Sequence, residues 1–125
     1  MTTRFSEAEL KQYARTARER AKARRAELEA RRLRAWEVAR QGAALLKEEF
    51  GAKRVAVFGS LTRGPGRFYI RSDIDLAVWG MDERLYLRAL GRLLDLDPEI
   101  EVDLVEFEFA RSAIQAAIER EGDEL

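Results

Sequence analysis

The 125-residue sequence lacks two residue types that carry much of protein chemistry, cysteine and histidine. Without cysteine there are no disulfide bonds and no thiolate metal ligands. Without histidine there are no histidine-based triads, no histidine-ligated zinc and no imidazole general base. Acid–base or metal chemistry therefore falls to carboxylates, whose oxygens prefer hard cations such as Mg²⁺ or Mn²⁺.

Long apolar runs are also missing. No stretch approaches the roughly 20 apolar residues that a membrane span requires. The first residues do not have the pattern of a signal peptide, so a cytoplasmic location is expected. Hydrophobic residues make up 46% of the chain, which predicts one domain with a modest core.

Proline and glycine are scarce in the first part of the chain. Ser6 and Glu9 form a capping box, and between Glu7 and Phe50 there is no proline and only one glycine, Gly42. This predicts one long helix, or two helices broken near Gly42, that end at Gly51. We divide the chain into a basic helical extension over residues 1–35 and a domain over residues 36–125.

Strands and helices alternate after this helix. The order predicts an α/β or α+β fold, a small mixed sheet of three or more strands backed by helices. Strands are expected at Arg54–Phe58, Asp73–Trp79 and Ile100–Glu106, and helices at Asp82–Asp95 and Ala110–Glu121. The first of these helices is expected to bury Leu85, Leu87, Leu90, Leu93 and Leu94, and the second Ala113, Ile114, Ala117 and Ile118.

Three aspartates lie inside these apolar strands. Asp73 and Asp75 occupy alternate positions, so both point to one face of their strand. Asp103 lies in the next strand, and if the two strands are neighbours the three carboxylates converge and can hold divalent cations. In the structural alternative Asp73 caps the strand, while Asp75 and Asp103 form ion pairs with arginines. The arginines in question are Arg54, Arg63 and Arg71.

Gly59-Ser60 directly follows the first strand. Glycine lets a ligand approach the backbone, and consecutive N–H groups in such a turn bind anions. Arg63 is the best phosphate candidate in the loop because it lies near this turn, whereas Arg67 and Arg71 are equally well explained as solvated charges. The pattern predicts a phosphate site beside a metal site.

Three segments together resemble a known family. Phe58–Gly64, Ser72–Val78 and Glu101–Val105 are similar to the signature of minimal nucleotidyltransferases of the DNA polymerase β-like superfamily. These proteins often serve as the antitoxin of HEPN/MNT toxin–antitoxin pairs. The resemblance covers about residues 36–122, although the loop from Leu61 to Ser72 is longer than is usual in the family.

The resemblance implies a role for each of the candidate site residues. Gly59 and Ser60 would hold ATP, Asp73 and Asp75 would ligate Mg²⁺, and Asp103 would share a metal and help to deprotonate the acceptor. The implied reaction transfers AMP from ATP to a hydroxyl of a HEPN-type partner, typically a tyrosine, with release of pyrophosphate.

Other functions stay open. The chain could neutralise its partner by occlusion, as a binding module with little catalysis.

The extension has a net charge of +6 over residues 1–40, against −6 over residues 41–125, so it could bind nucleic acid. Interleaved glutamates favour instead a solvated helix with i,i+4 ion pairs. A small-molecule acceptor is less favoured, because such enzymes usually carry a second domain.

Overall fold

A computed structural model describes residues 4–64, 68 and 74–125. The chain begins with one long helix and continues as a small α+β domain. The helices are α1 (Glu7–Phe50), α2 (Tyr86–Leu94) and α3 (Ser112–Glu121), and the strands are β1 (Arg54–Phe58), β2 (Ile74–Trp79), β3 (Val102–Glu106) and β4 (Asp123–Glu124). In the described part of the chain, no helix combines the length and apolarity of a membrane span.

Helix α1 is continuous through Gly42, so the single-helix alternative is confirmed. Ser6 caps it: the Glu9 backbone N–H donates to Ser6 Oγ at 3.1 Å, and Gly51 ends the helix in the left-handed conformation. Gly42 is tolerated because the helix packs closely there. A Cβ at this position would lie 3.0 Å from Leu93 Cδ2 and 3.1 Å from Leu76 Cδ1.

The four strands form a mixed sheet in the order β3-β2-β1-β4. Strand β1 is antiparallel to both β2 and β4, and β2 is parallel to β3. The predicted bounds of β1 are confirmed, while the regular part of β3 begins two residues later than expected. Asp73, the predicted first residue of the second strand, lies outside the described residues. Strand β4 was not expected.

The two faces of the sheet are covered differently. Val55 and Val57 join the main core with α1 and α2. Because side chains alternate along a strand, Ala56 points to the other face, where α3 packs against β1. Ile118 is buried on α3. This second face also carries Asp75 and Asp103.

Two expected helix faces are wrong in part. On α2, Leu87 and Leu94 are 77% and 43% exposed, whereas Ala89 and Leu93 are buried. The residues Leu87 and Leu94 lie seven positions apart, so they stack on the solvent side of a helix whose core side is set by Ala89 and Leu93. On α3, only Ile118 of the four expected residues is fully buried.

The expected i,i+4 ion pairs are absent from the front of α1. Within the described residues, the ion pairs that α1 makes along its own length are Arg32–Glu29 and Arg40–Glu37, both spaced i,i+3. Exposed pairs contribute little energy and cost side-chain entropy, so sequence spacing alone does not form them. The helix is tied to the domain at Arg34, which pairs with Asp97 at 2.5 Å and lowers the pKa of that carboxyl through hydrogen bonding.

Candidate active site

Asp75 and Asp103 are direct neighbours across two parallel strands. They are register partners on β2 and β3, and neighbouring strands lie about 4.8 Å apart. Register partners point to the same face, so both carboxylates look toward the side that carries α3. Asp75 is half-buried and Asp103 is exposed. The predicted adjacency of these two strands is therefore confirmed.

The turn after β1 presses against one of these carboxylates. Gly59 has a φ of 83°, and a Cβ built on it would lie only 2.4 Å from Asp75 Oδ2. The turn is closed by Thr62, whose backbone N–H and hydroxyl both donate to the Gly59 carbonyl, at 3.2 and 3.0 Å. Any residue with a side chain at Gly59 would displace Asp75, so glycine is required here for space as well as for conformation.

A cleft of about 510 Å³ opens in front of the aspartates, within the size range of small-molecule sites. The lining of the cleft is mixed. The polar residues are Gly59, Ser60, Arg63, Asp75 and Asp103, and the apolar residues are Phe58, Val105, Ala113, Ile114 and Ala117. Three of the four α3 residues that were expected in the core, Ala113, Ile114 and Ala117, thus line this cleft.

Arg63 reaches the cleft through an ion pair with α3. Its Nε lies 3.2 Å from Glu121 Oε2, and the Glu121 side chain is only 21% exposed. This pair uses Nε and therefore consumes neither Nη group of Arg63. Sequence reasoning missed Glu121 as a site residue, although it lies in the C-terminal segment covered by the resemblance.

The structural alternative for the aspartates is not supported by the described arginines. Arg54 pairs with Glu124 at 2.7 Å and lies over the Trp79 ring at 4.2 Å. Arg63 pairs with Glu121. Within the part of the chain that the structure describes, Asp103 forms no ion pair with either arginine. Arg71, the third candidate, lies outside the described residues.

Two adjacent carboxylates fit a hard divalent cation. Their like charges repel each other, and a cation between them relieves that repulsion. Asp73, Arg67 and Arg71 lie outside the described residues, so the predicted set of three aspartates stays a prediction. Among the described residues alone, no group of three or more potential metal ligands (His, Cys, Asp or Glu) lies close enough together to hold a metal ion.

The sequence matches a family over two thirds of its length. Residues 41–125 match the family described as Polymerase beta, Nucleotidyltransferase. The chain belongs to this family. The glycine–serine turn and the two neighbouring aspartates lie within the matched nucleotidyltransferase region. No curated protein sequence matches the chain significantly.

Solved structures share this nucleotidyltransferase fold. A toxin–antitoxin structure with AMP-PNP matches with a TM-score of 0.55 at 24% identity, over 64% of this chain and 65% of that one. An MntA–HepT toxin–antitoxin structure matches with a TM-score of 0.54 at 19% identity, over 71% of this chain and 69% of that one. A mutant MntA–HpeT structure matches with a TM-score of 0.53 at 20% identity, over 64% of this chain. This chain spans 65% of the length of that mutant chain.

Tyr86 supports the strand that carries Asp103. Its hydroxyl donates to the Leu104 carbonyl at 2.7 Å. Burial raises the pKa of Tyr86, and the charges of Asp103 and Glu106 raise it further. The neutral phenol therefore stays a donor to β3 of the nucleotidyltransferase sheet. Sequence patterning did not identify this contact, because it joins residues of different elements.

Proposed function

We propose that this chain is a Mg²⁺-dependent nucleotidyltransferase that transfers AMP from ATP to a hydroxyl of a partner protein. The observation that carries this proposal is the pair Asp75–Asp103, in register on parallel strands beside the Gly59 turn. The partner would be a HEPN-type toxin, and the chain would act as its antitoxin. The matched structures support this partner class, since they are toxin–antitoxin complexes and one includes AMP-PNP.

The site residues take roles that follow from their chemistry. Gly59 and Ser60 would hold the triphosphate through backbone N–H groups and the hydroxyl. Arg63 would bind a phosphate oxygen with its Nη groups. Asp73, Asp75 and Asp103 would hold Mg²⁺, which, when bound, neutralises charge on the phosphates.

The reaction is a substitution at the α-phosphorus. The acceptor oxygen forms a bond to this atom, and the bond to the pyrophosphate oxygen breaks. The hydroxyl proton passes to a carboxylate, for which Asp103 is the best placed because it is exposed at the cleft. An acceptor on another protein can therefore reach it, and positioning supplies much of the rate.

The test is transfer of label from α-labelled ATP with Mg²⁺ to a HEPN-type protein encoded beside the gene. We expect label on the partner with the wild-type chain and with Asp95→Asn, a control on an exposed aspartate after α2. Asp75→Asn and Asp103→Asn should abolish it. No label with any nucleoside triphosphate overturns the proposal. If the Asp75→Asn variant transfers no label but still neutralises the toxin, the antitoxin effect is due to occlusion.

A further inference from the structure

The front of α1 carries a concentration of positive charge. Between Lys11 and Arg25 the sequence has seven basic residues and one acidic residue, Glu19. The first fully buried residue of the helix is Ala35. This segment therefore extends from the domain with its charges in solvent.

Five of these basic residues form one stripe. Their spacings are four, three, four and three residues, and at about 100° per residue they fall within an arc of roughly 80°. All five are exposed. At about 1.5 Å per residue the stripe is roughly 21 Å long. The stripe consists of Lys11, Arg15, Arg18, Lys22 and Arg25.

No ion pair with a described residue neutralises the charges of this stripe. In the described residues, the first ion pair of α1 is Arg32–Glu29, and the others lie closer to its C-terminus. None of the five stripe residues takes part in one of them. Residues 41–125 carry a net charge of −6, so a polyanion approaching this molecule is attracted to the stripe and repelled by the domain.

The composition of the stripe favours a phosphate backbone over an acidic protein. Protein interfaces have apolar cores and are depleted in lysine, but no apolar side chain lies within this stripe. The apolar residues Leu10 and Tyr13 are about 100° or more away from Lys11 around the helix. Phosphate contacts, by contrast, need only arginine and lysine.

We propose that the stripe Lys11–Arg25 binds the backbone of nucleic acid, without preference for base sequence. A length of 21 Å of duplex presents about 12 phosphate charges, more than enough for five cations. All five side chains of the stripe are positively charged, and contacts from arginine and lysine to phosphate oxygens carry no sequence information. The binding is therefore electrostatic and goes beyond the nucleotidyl transfer proposed above.

The test is fluorescence anisotropy of the full chain with labelled 24-bp duplexes of DNA and of RNA, in 50–200 mM KCl. With five phosphate contacts, log K should fall against log salt with a slope of about −4.5, a loss of roughly 500-fold over this range. Arg18→Gln/Lys22→Gln should reduce the slope by about 2. Glutamine preserves helix propensity, and circular dichroism checks that both variants stay helical.

The matched control is Arg20→Gln/Arg24→Gln, which removes the same charge from the other side of the same segment. It should weaken binding much less than the stripe variant. If the two double variants lose the same binding affinity, the stripe is not the binding surface. If the full chain does not bind at 50 mM KCl, the proposal of nucleic-acid binding is wrong. Equal binding to poly-glutamate or to vesicles with phosphatidylserine also overturns the proposal, and would assign the stripe to an acidic protein or a membrane. Preference for DNA or RNA identifies the source of the phosphates.

Discussion

The backbone of Gly59 and the carboxylate of Asp75 lie in direct contact, so close that a methyl group on Gly59 would come within 2.4 Å of Asp75 Oδ2. The candidate anion-binding turn and one candidate metal ligand are therefore a single packing unit. Moving one of them moves the other. This coupling gives a specific test of the site that does not alter any charge.

Gly59→Ala should destabilise the protein and abolish ATP binding. The positive φ alone costs about 1–2 kcal/mol for a residue with a side chain, and the collision with Asp75 adds about 1–3 kcal/mol. Urea unfolding and equilibrium ATP binding measure the two effects. The control is Gly64→Ala, since Gly64 also has a positive φ but no atom of the described residues lies within 4 Å of its Cβ position. Equal effects of the two substitutions would contradict a role for the contact with Asp75.

Asp103→Asn should abolish nucleotidyl transfer without destabilising the metal-free protein. Like charges on neighbouring strands are destabilising, so without metal the variant should be as stable as the wild type or up to about 1 kcal/mol more stable. With 10 mM Mg²⁺ the wild type should gain stability, by about 2.7 kcal/mol at one hundred times Kd. The variant should gain much less. The measurement is thermal unfolding with Mg²⁺ and with EDTA.

Asp95→Asn is the control for this experiment, because it removes an exposed aspartate at the end of α2. It should keep the full response to Mg²⁺. If Asp103→Asn also keeps the full response, Asp103 does not hold the metal. Its role would then be limited to the acceptor proton.

Glu121→Gln should weaken ATP binding by releasing Arg63. The pair is partly exposed, at 51% for the arginine side chain, so its loss corresponds to up to about 1 kcal/mol, or up to about fivefold in KM for ATP. The change in kcat should be smaller. The control is Glu119→Gln on the exposed side of the same helix. Tighter ATP binding by Glu121→Gln would show instead that Glu121 competes with phosphate for Arg63.

The parts of this fold that were predictable are those with local signals. The apolar run of β1 and its following glycine mark the strand end and the turn. Alternation predicted that Asp73 and Asp75 share one face of their strand, and the approach of Asp103 to Asp75 was predicted on the condition that β2 and β3 are neighbours. The capping box at Ser6 fixed the start of α1.

The unpredicted parts depend on contacts between distant residues. Strand β4 has two residues and therefore no periodicity. The pair Arg63–Glu121 joins positions 58 residues apart. Ile114 has the spacing of a core residue, but the sheet beneath it carries aspartates instead of an apolar surface, so its helix face lines a cleft. Sequence alone gives the apolar face of a helix but not what lies opposite.

Glu106→Gln should stabilise the protein at neutral pH. Its Oε1 is buried and accepts no hydrogen bond from the described residues. Burial raises the pKa of Glu106 above its ordinary value of 4.5, and the charges of Glu83 and Glu108 raise it further. The unfolded chain thus loses this proton at a lower pH than the folded chain, so stability falls as the pH rises from 4.5 through the folded pKa.

The glutamine variant lacks this loss because its amide does not ionise. Its urea midpoint should exceed that of the wild type at pH 7, and the difference should shrink at pH 4, where the wild-type carboxyl is largely protonated in both states. Glu101→Gln, at an exposed position just before β3, is the matched control for the loss of one glutamate charge from the same region. A lower midpoint for Glu106→Gln at pH 7 would mean that the charged carboxylate stabilises the fold, against the direction set by its burial and its acidic neighbours.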